Sequence, residues 1–257
     1  MCEFQPGRHE LGQNFLVDRA AIRAVTSAVA ETCGPILELA AGGGALTEPL
    51  SQLGRSLTAV EVDPRQVRAL KARIRSNVSL IRDDILRHAP PRDPHVVVCN
   101  VPFHITTPIL RRLLGWPDWT DAVLITQWEV ARKRAGVGGA TMLTAQWWPW
   151  YDVELVRRIP ASAFRPRPSV DAGLLCLRRR SDPQVRDRTA YQGFVRAVFT
   201  GPGRGLPDVV RRTGVSPRRL RPWCREHGVT DRTLPRNLTA AQWISLFELR
   251  QSTHPAG

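Results

Sequence analysis

Short apolar β-runs alternate with amphipathic helical stretches through the first half of this 257-residue chain. That alternation restricts the fold more than any other feature, because it demands a parallel sheet with helices packed on both faces. Asp18 is placed to cap a helix over 18–33, in which Ile22, Val25 and Val29 recur at helical spacing until Gly34-Pro35 stops it. Strands are expected at 36–39, 57–61, 78–81, 96–99 and 122–126. Helices are expected through Leu46, Leu50 and Leu53, from Pro64 to about Arg75, and over 107–114. Three more β-like runs follow at 142–147, 152–159 and 172–178. The fold class is α/β: a Rossmann-like sheet with helices on both faces, followed by a small all-helical C-terminal part. In such sheets ligands bind at the carboxyl ends of the strands.

Residues of chemical interest fall at those ends. Glu38-Leu39-Ala40-Ala41-Gly42-Gly43-Gly44 joins a strand to a helix, and glycines there let a backbone approach a ligand closely. The loop suits a dinucleotide or S-adenosylmethionine. A dinucleotide site wants a third glycine where this chain has Thr47, which argues against a nicotinamide-dependent dehydrogenase. Glu61 ends the next strand about twenty residues on, as expected of a carboxylate accepting from ribose hydroxyls. Asp84 follows the third strand, where a carboxylate can accept from an adenine amino group.

The most specific stretch is Asn100-Val101-Pro102-Phe103, directly after a buried β-run. The exocyclic amine of adenine is a weak nucleophile, because its lone pair is delocalised into the ring. It needs acceptors that hold its N–H groups and turn the lone pair towards an electrophile. The side-chain oxygen of Asn100 supplies one acceptor and the Val101 carbonyl a second. Pro102 fixes φ and removes a competing N–H. Phe103 offers a face for a base to stack on.

The chain resembles the rRNA adenine N6-methyltransferases, which include Erm-type macrolide-resistance enzymes and housekeeping small-subunit rRNA dimethyltransferases. The resemblance rests on Gly12-Gln13-Asn14-Phe15-Leu16-Val17-Asp18, the Glu38 to Gly44 loop, Glu61, Asp84, Asn100 to Phe103, and Phe164-Arg165-Pro166-Arg167-Pro168-Ser169-Val170-Asp171. It implies S-adenosylmethionine as methyl donor and no metal. Asn14 and Leu16 would contact its methionine end, Glu38, Ala40 and Gly42 would bind the donor from the loop, and Asn100 would touch donor and base alike. Ala40 stands where the family usually has glycine, a change tolerated at negative φ. Phe103 replaces the more frequent Tyr, and Phe164 would form the second wall of the base pocket. The segment 126–134 resembles the Erm branch. The resemblance then implies methylation of one adenine in the peptidyl-transferase loop of 23S rRNA, free or in a large-subunit precursor, which blocks macrolide binding. The housekeeping enzyme, or a non-catalytic nucleic-acid-binding relative, are the alternatives.

Charge agrees with a polyanion partner. The net charge is +14, and residues 178–257 carry 16 basic against 6 acidic side chains. Only Lys71 and Lys133 are lysines, and arginine forks suit phosphate. Arg132, Lys133, Arg134, Arg165 and Arg167 are the candidate phosphate contacts beside the pocket. A domain boundary is expected near 183, between a catalytic domain over 1–182 and a basic helical RNA-binding domain over 183–257. Five scattered cysteines suggest neither zinc nor a disulfide framework. No apolar run reaches membrane-spanning length and the first residues lack a signal peptide's apolar stretch, so a cytoplasmic monomer is expected.

Overall fold

The structure, a computed structural model, describes residues 14–251. Gly12 and Gln13 of the N-terminal motif lie outside the described residues. The chain runs β1 (Phe15–Leu16), α1 (Arg19–Ala30), β2 (Ile36–Leu39), α2 (Thr47–Ser51), β3 (Leu57–Glu61), α3 (Pro64–Lys71), β4 (Val78–Arg82), β5 (His95–Asn100), α4 (Thr106–Gly115) and β6 (Trp119–Gln127). It continues with α5 (Trp128–Arg134), α6 (Met142–Trp147), β7 (Tyr151–Ile159), β8 (Phe164–Arg165), β9 (Ala172–Arg179), α7 (Arg188–Thr200), α8 (Leu206–Arg212), α9 (Pro217–Glu226) and α10 (Ala240–Gln251).

Seven strands form one sheet in the order β4-β3-β2-β5-β6-β9-β7. The strands from β4 to β6 are parallel, and β9 closes on β6 antiparallel. All four residues of β2 and five of the six in β5 are buried, the near-continuous apolar reading of strands covered on both faces. The Asp18 side chain accepts from Ala21 N at 2.7 Å, and α1 buries Ala21, Val25 and Val29, as the spacing requires. A second, two-stranded sheet pairs β1 with β8, setting Phe15 against Arg165 and Leu16 against Phe164. The first and last motifs of the catalytic half, some 150 residues apart, therefore meet.

The described residues divide into two compact units, 14–131 with 154–179, and 132–153 with 180–251. Two features of the second unit differ from the sequence expectation. Residues 142–147 form a helix and not a strand. Six largely apolar residues satisfy either period, and the Thr141 side chain decides by accepting from the N–H of Thr144. The segment 132–153 also belongs with the C-terminal helices, so the units do not part at 183. Gln146 and Gln192 exchange side-chain to carbonyl hydrogen bonds at 3.1 and 3.3 Å, and Tyr191 OH donates to Ala145 O at 3.1 Å. The core of this unit gathers Tyr191, Phe194, Trp243 and Phe247 in mutual edge and tilted contacts. Thr239 and Gln242 form a reciprocal cap at the start of α10.

Candidate active site

A cleft of about 500 Å³ opens at the carboxyl ends of β2, β3 and β5. The register explains why these residues converge. Leu39 pairs with Val60 on one side and Cys99 on the other, so Ala40, Glu61 and Asn100 all stand one residue beyond the same level. Asn14, Leu16, Glu38, Ala40, Gly42, Glu61, Asp84, Asn100 and Pro102 all line the cleft.

The loop after β2 is held by bonds distant in sequence. Gly42 N donates to Glu61 Oε2 at 2.7 Å, and Asp63 N donates to Oε1 at 2.9 Å. Each Glu61 oxygen thus keeps lone-pair capacity for a ligand hydroxyl. Arg73 donates to Gly43 O at 2.7 Å and pairs with Glu48 at 3.2 Å, strapping the loop from α3's far end. Gly44, at φ +89°, has no room for a Cβ against Leu70. Ala40 lies at φ +57°, in the left-handed region, so its methyl is strained and the expectation of a negative φ is overturned. Relieving that strain by Ala40→Gly is expected to stabilise the fold by about 1 kcal/mol and raise Tm by about 2–4 °C. Thermal unfolding checks this, and a lowered Tm would contradict it.

Glu38 is 2% exposed, and its Oε2 has no hydrogen-bond partner. Burial pushes its carboxyl up to about 8, and neighbouring Glu61 adds to the push. A buried, orphaned oxygen in a cleft wall calls for a donor supplied by a ligand.

Asp84 sits on a turn after β4 that is pinned at several atoms. Its Oδ1 accepts from Leu86 N at 2.9 Å, and its carbonyl accepts from Arg87 N and His88 N at 2.8 and 2.7 Å. Asp83 accepts from Asp84 N at 2.8 Å through Oδ1, and its Oδ2 meets His88 Nδ1 at 2.9 Å. That His88 bond holds the Asp83 carboxyl below its usual range. Arg112 donates to His88 O at 2.7 Å from the far side. The sequence reading missed the apolar walls beside the two carboxylates, Val62 and Ile85. Each directly follows one of those acids, Val62 after Glu61 and Ile85 after Asp84, which is the signal that would have found them. It also missed Phe15, Gln66, Arg73 and His104.

Asn100 ends β5, and its Nδ2 donates to Asn14 O at 3.0 Å. The amide is thereby oriented, with Oδ1 left as the acceptor. Val101 N donates to Ile125 O at 2.9 Å, anchoring the turn to β6. Phe103 is half-buried, beyond the lining of the cleft itself. Phe164 is 0% exposed and meets Phe103 edge-on at 6.2 Å between centroids, so it backs Phe103 instead of offering a free wall.

The five basic candidates differ in freedom. Arg134 donates to the hydroxyls of Thr141 and Thr144 at 2.8 and 3.0 Å, and Arg132 is half-buried. Arg165 donates to the carbonyls of Ser162 and Phe164 at 3.3 and 3.0 Å. Lys133 and Arg167 are exposed. Asp171, at the end of the late motif, ties the region together by accepting from Ala161 N and Arg158 Nε, both at 2.8 Å.

Among known proteins, the chain matches the family described as Ribosomal RNA adenine dimethylase over residues 5–252. It is 50% identical to the mycinamicin-resistance protein MyrB of Micromonospora griseorubida, over 97% of this chain and 82% of that protein. It is also 50% identical to an rRNA adenine N-6-methyltransferase of Corynebacterium diphtheriae, over 83% of this chain and 86% of that one. The crystal structure of the 23S rRNA methyltransferase ErmE superposes with a TM-score of 0.86 at 32% identity, covering 93% of this chain and all of that one. The chain belongs to the ribosomal RNA adenine dimethylase family of enzymes.

Proposed function

We propose that this chain transfers a methyl group from S-adenosylmethionine to N6 of one adenine in the peptidyl-transferase loop of 23S rRNA, and so confers resistance to macrolide-type antibiotics. The observation that supports the reading best is Asn100, which lines the cleft with its Nδ2 donating to Asn14 O and its Oδ1 left to accept. The choice of 23S rRNA is supported by the likeness to MyrB and ErmE.

The residues present fit the methyl donor. Glu61 retains acceptor capacity for ribose hydroxyls, Asp84 for the adenine amine, and Val62 and Ile85 give the cleft an apolar lining for the ring. The orphaned Glu38 Oε2 matches a cationic amino group, which would favour the ionised acid. When bound, S-adenosylmethionine supplies a methyl group already activated as a sulfonium, so the protein's work is mainly orientation. Asn100 Oδ1 and the Val101 carbonyl hold the two amine hydrogens and direct the nitrogen lone pair to the methyl carbon. With the donor bound, its methyl–sulfur bond would break as the new C–N bond formed, and the alkylated amine, then acidic, would lose one proton to water. No general base is required. Phe103 stacks on the target base, which must be presented unstacked. Lys133 and Arg167, with the more restrained Arg132, Arg134 and Arg165, contribute phosphate contacts, and the second unit acts as a basic RNA-binding domain. The chain acts as a monomer on ribosomal RNA in the cytoplasm. Among the described residues no helix is long and apolar enough to cross a membrane.

Expression in a macrolide-sensitive host tests this reading. Growth at raised macrolide concentration is expected, and unchanged sensitivity with the protein present would count against it. Within the site, His88 positions the turn that carries Asp84. His88→Ala is expected to raise the donor KM about fivefold, roughly one hydrogen bond, with kcat at saturation unchanged. His88→Asn, which can still donate, should recover part of the loss. A fall in kcat at unchanged KM would contradict the positioning role.

A further inference from the structure

The second unit contains a groove of about 1010 Å³ between α8 and α9 that the chemistry of methyl transfer does not use. Its apolar floor includes Leu220, Cys224 and Val229, and five arginines face only two aspartates along its sides. Asp208 is already engaged: it pairs with Arg211 at 2.6 Å and Arg212 at 3.7 Å, and accepts from Arg204 N at 3.2 Å. Arg221 and Arg225, both exposed, line the opposite side and pair with no carboxylate among the described residues. They stand four residues apart on one face of α9, about 6 Å along its axis.

Helix α9 holds Arg218, Arg219, Arg221 and Arg225 against the single acid Glu226 within ten residues. Like charges one turn apart each destabilise a helix by about 0.2–0.5 kcal/mol. Leu220 and Trp223 supply the packing that holds the helix in place despite this. The groove is preformed. Gly205, at φ +148°, lets the loop before α8 lie directly against the Asp231 carbonyl, where no Cβ fits. Val229 N donates to Cys224 O at 2.8 Å, closing the turn after α9.

We infer that this groove is a docking site for the sugar-phosphate backbone of the RNA substrate, read without regard to base sequence. The inference rests on rRNA being the substrate. Arginine forks present paired donors to phosphate oxygens, and one helical turn between Arg221 and Arg225 suits neighbouring phosphates of one strand. The apolar floor accommodates the sugar face, and a diffuse cationic surface would need no such floor. The groove contributes affinity, and leaves the chemical step to the cleft.

The test compares the full chain with Arg221→Glu/Arg225→Glu, and with Arg186→Glu/Arg196→Glu as an equal charge change at exposed positions outside the groove. Methyl transfer to protein-free 23S rRNA is followed across a salt series. The groove pair is expected to raise the RNA KM about tenfold near 0.15 M salt, and to make the log–log salt dependence shallower by about two. The kcat at saturating RNA and the donor KM should stay at their original values. Should the reversed pair fold poorly, Arg221→Gln/Arg225→Gln serves, with a smaller shift in the same direction. An unchanged RNA KM, or an equal shift in the control pair, overturns the inference. So does loss of polyglutamate binding with rRNA methylation intact, which would assign the groove to an acidic protein. A wild-type chain that methylates no rRNA would instead defeat the underlying functional reading.

Discussion

Asn100→Ala is expected to lower kcat for methyl transfer by about a thousandfold or more, while the affinity for rRNA stays within about threefold of the original. The size follows from what is lost. A preorganised polar group aimed at the reacting centre is typically worth about 10²–10³ in rate. Here the same side chain also fixes the orientation of its own amide through the 3.0 Å bond to Asn14 O. Its removal deprives the adenine amine of the acceptor that directs its lone pair, and frees the end of β5 from Asn14, the residue before β1. RNA affinity is carried by phosphate contacts elsewhere and should barely move. Asn100→Asp separates the two roles, because it keeps an acceptor and cannot donate to Asn14 O. It should fall nearer to the alanine variant than to the original. Single-turnover kinetics with bound RNA checks both, and substantial activity in Asn100→Ala would refute the assigned role.

Glu61→Ala is expected to weaken donor binding by about 100-fold, near 3 kcal/mol, and to lower Tm as well. Two effects combine. A carboxylate that accepts from ligand hydroxyls contributes about 1.5–3 kcal/mol per bond. The same carboxylate accepts the N–H groups of Gly42 and Asp63, so its loss leaves the loop after β2 without its tether to β3. Glu61→Gln keeps one acceptor oxygen and should lie between the two. Calorimetry with S-adenosylhomocysteine reads the affinity directly, and a change below threefold would contradict the ribose role.

The parallel core was legible because its strands are short, apolar and closed by chemically distinctive residues. Ile36-Leu37-Glu38-Leu39 and Leu57 to Glu61 each mark their own end, and the structure follows them closely. The gathering of Glu61, Asp84 and Asn100 along one cleft was legible for the same reason: each stands at or just beyond the end of a parallel strand, and such ends lie on one edge of the sheet. Less was visible where tertiary contact decides. Residues 142–147 became helical through a single threonine cap and joined the second unit through Gln192 and Tyr191, which lie more than forty residues away. The packing of Phe164 behind Phe103 depends on the pairing of β1 with β8, which no local pattern announces. Ala40 is a case where a signal existed. A position usually held by glycine is one where φ is positive, and the structure places the alanine at +57°. The Arg73 strap joins residues thirty positions apart, and nothing in the spacing distinguished Arg73 from its neighbours Arg68 and Arg75.

The most direct measurement is methyl transfer from labelled S-adenosylmethionine to protein-free 23S rRNA and, separately, 16S rRNA, with the modified base mapped by primer extension. The expected result is one modified adenine in the peptidyl-transferase loop of 23S rRNA and no label on 16S rRNA. Label confined to 16S rRNA, or none on either RNA from a folded chain, would contradict the proposed function.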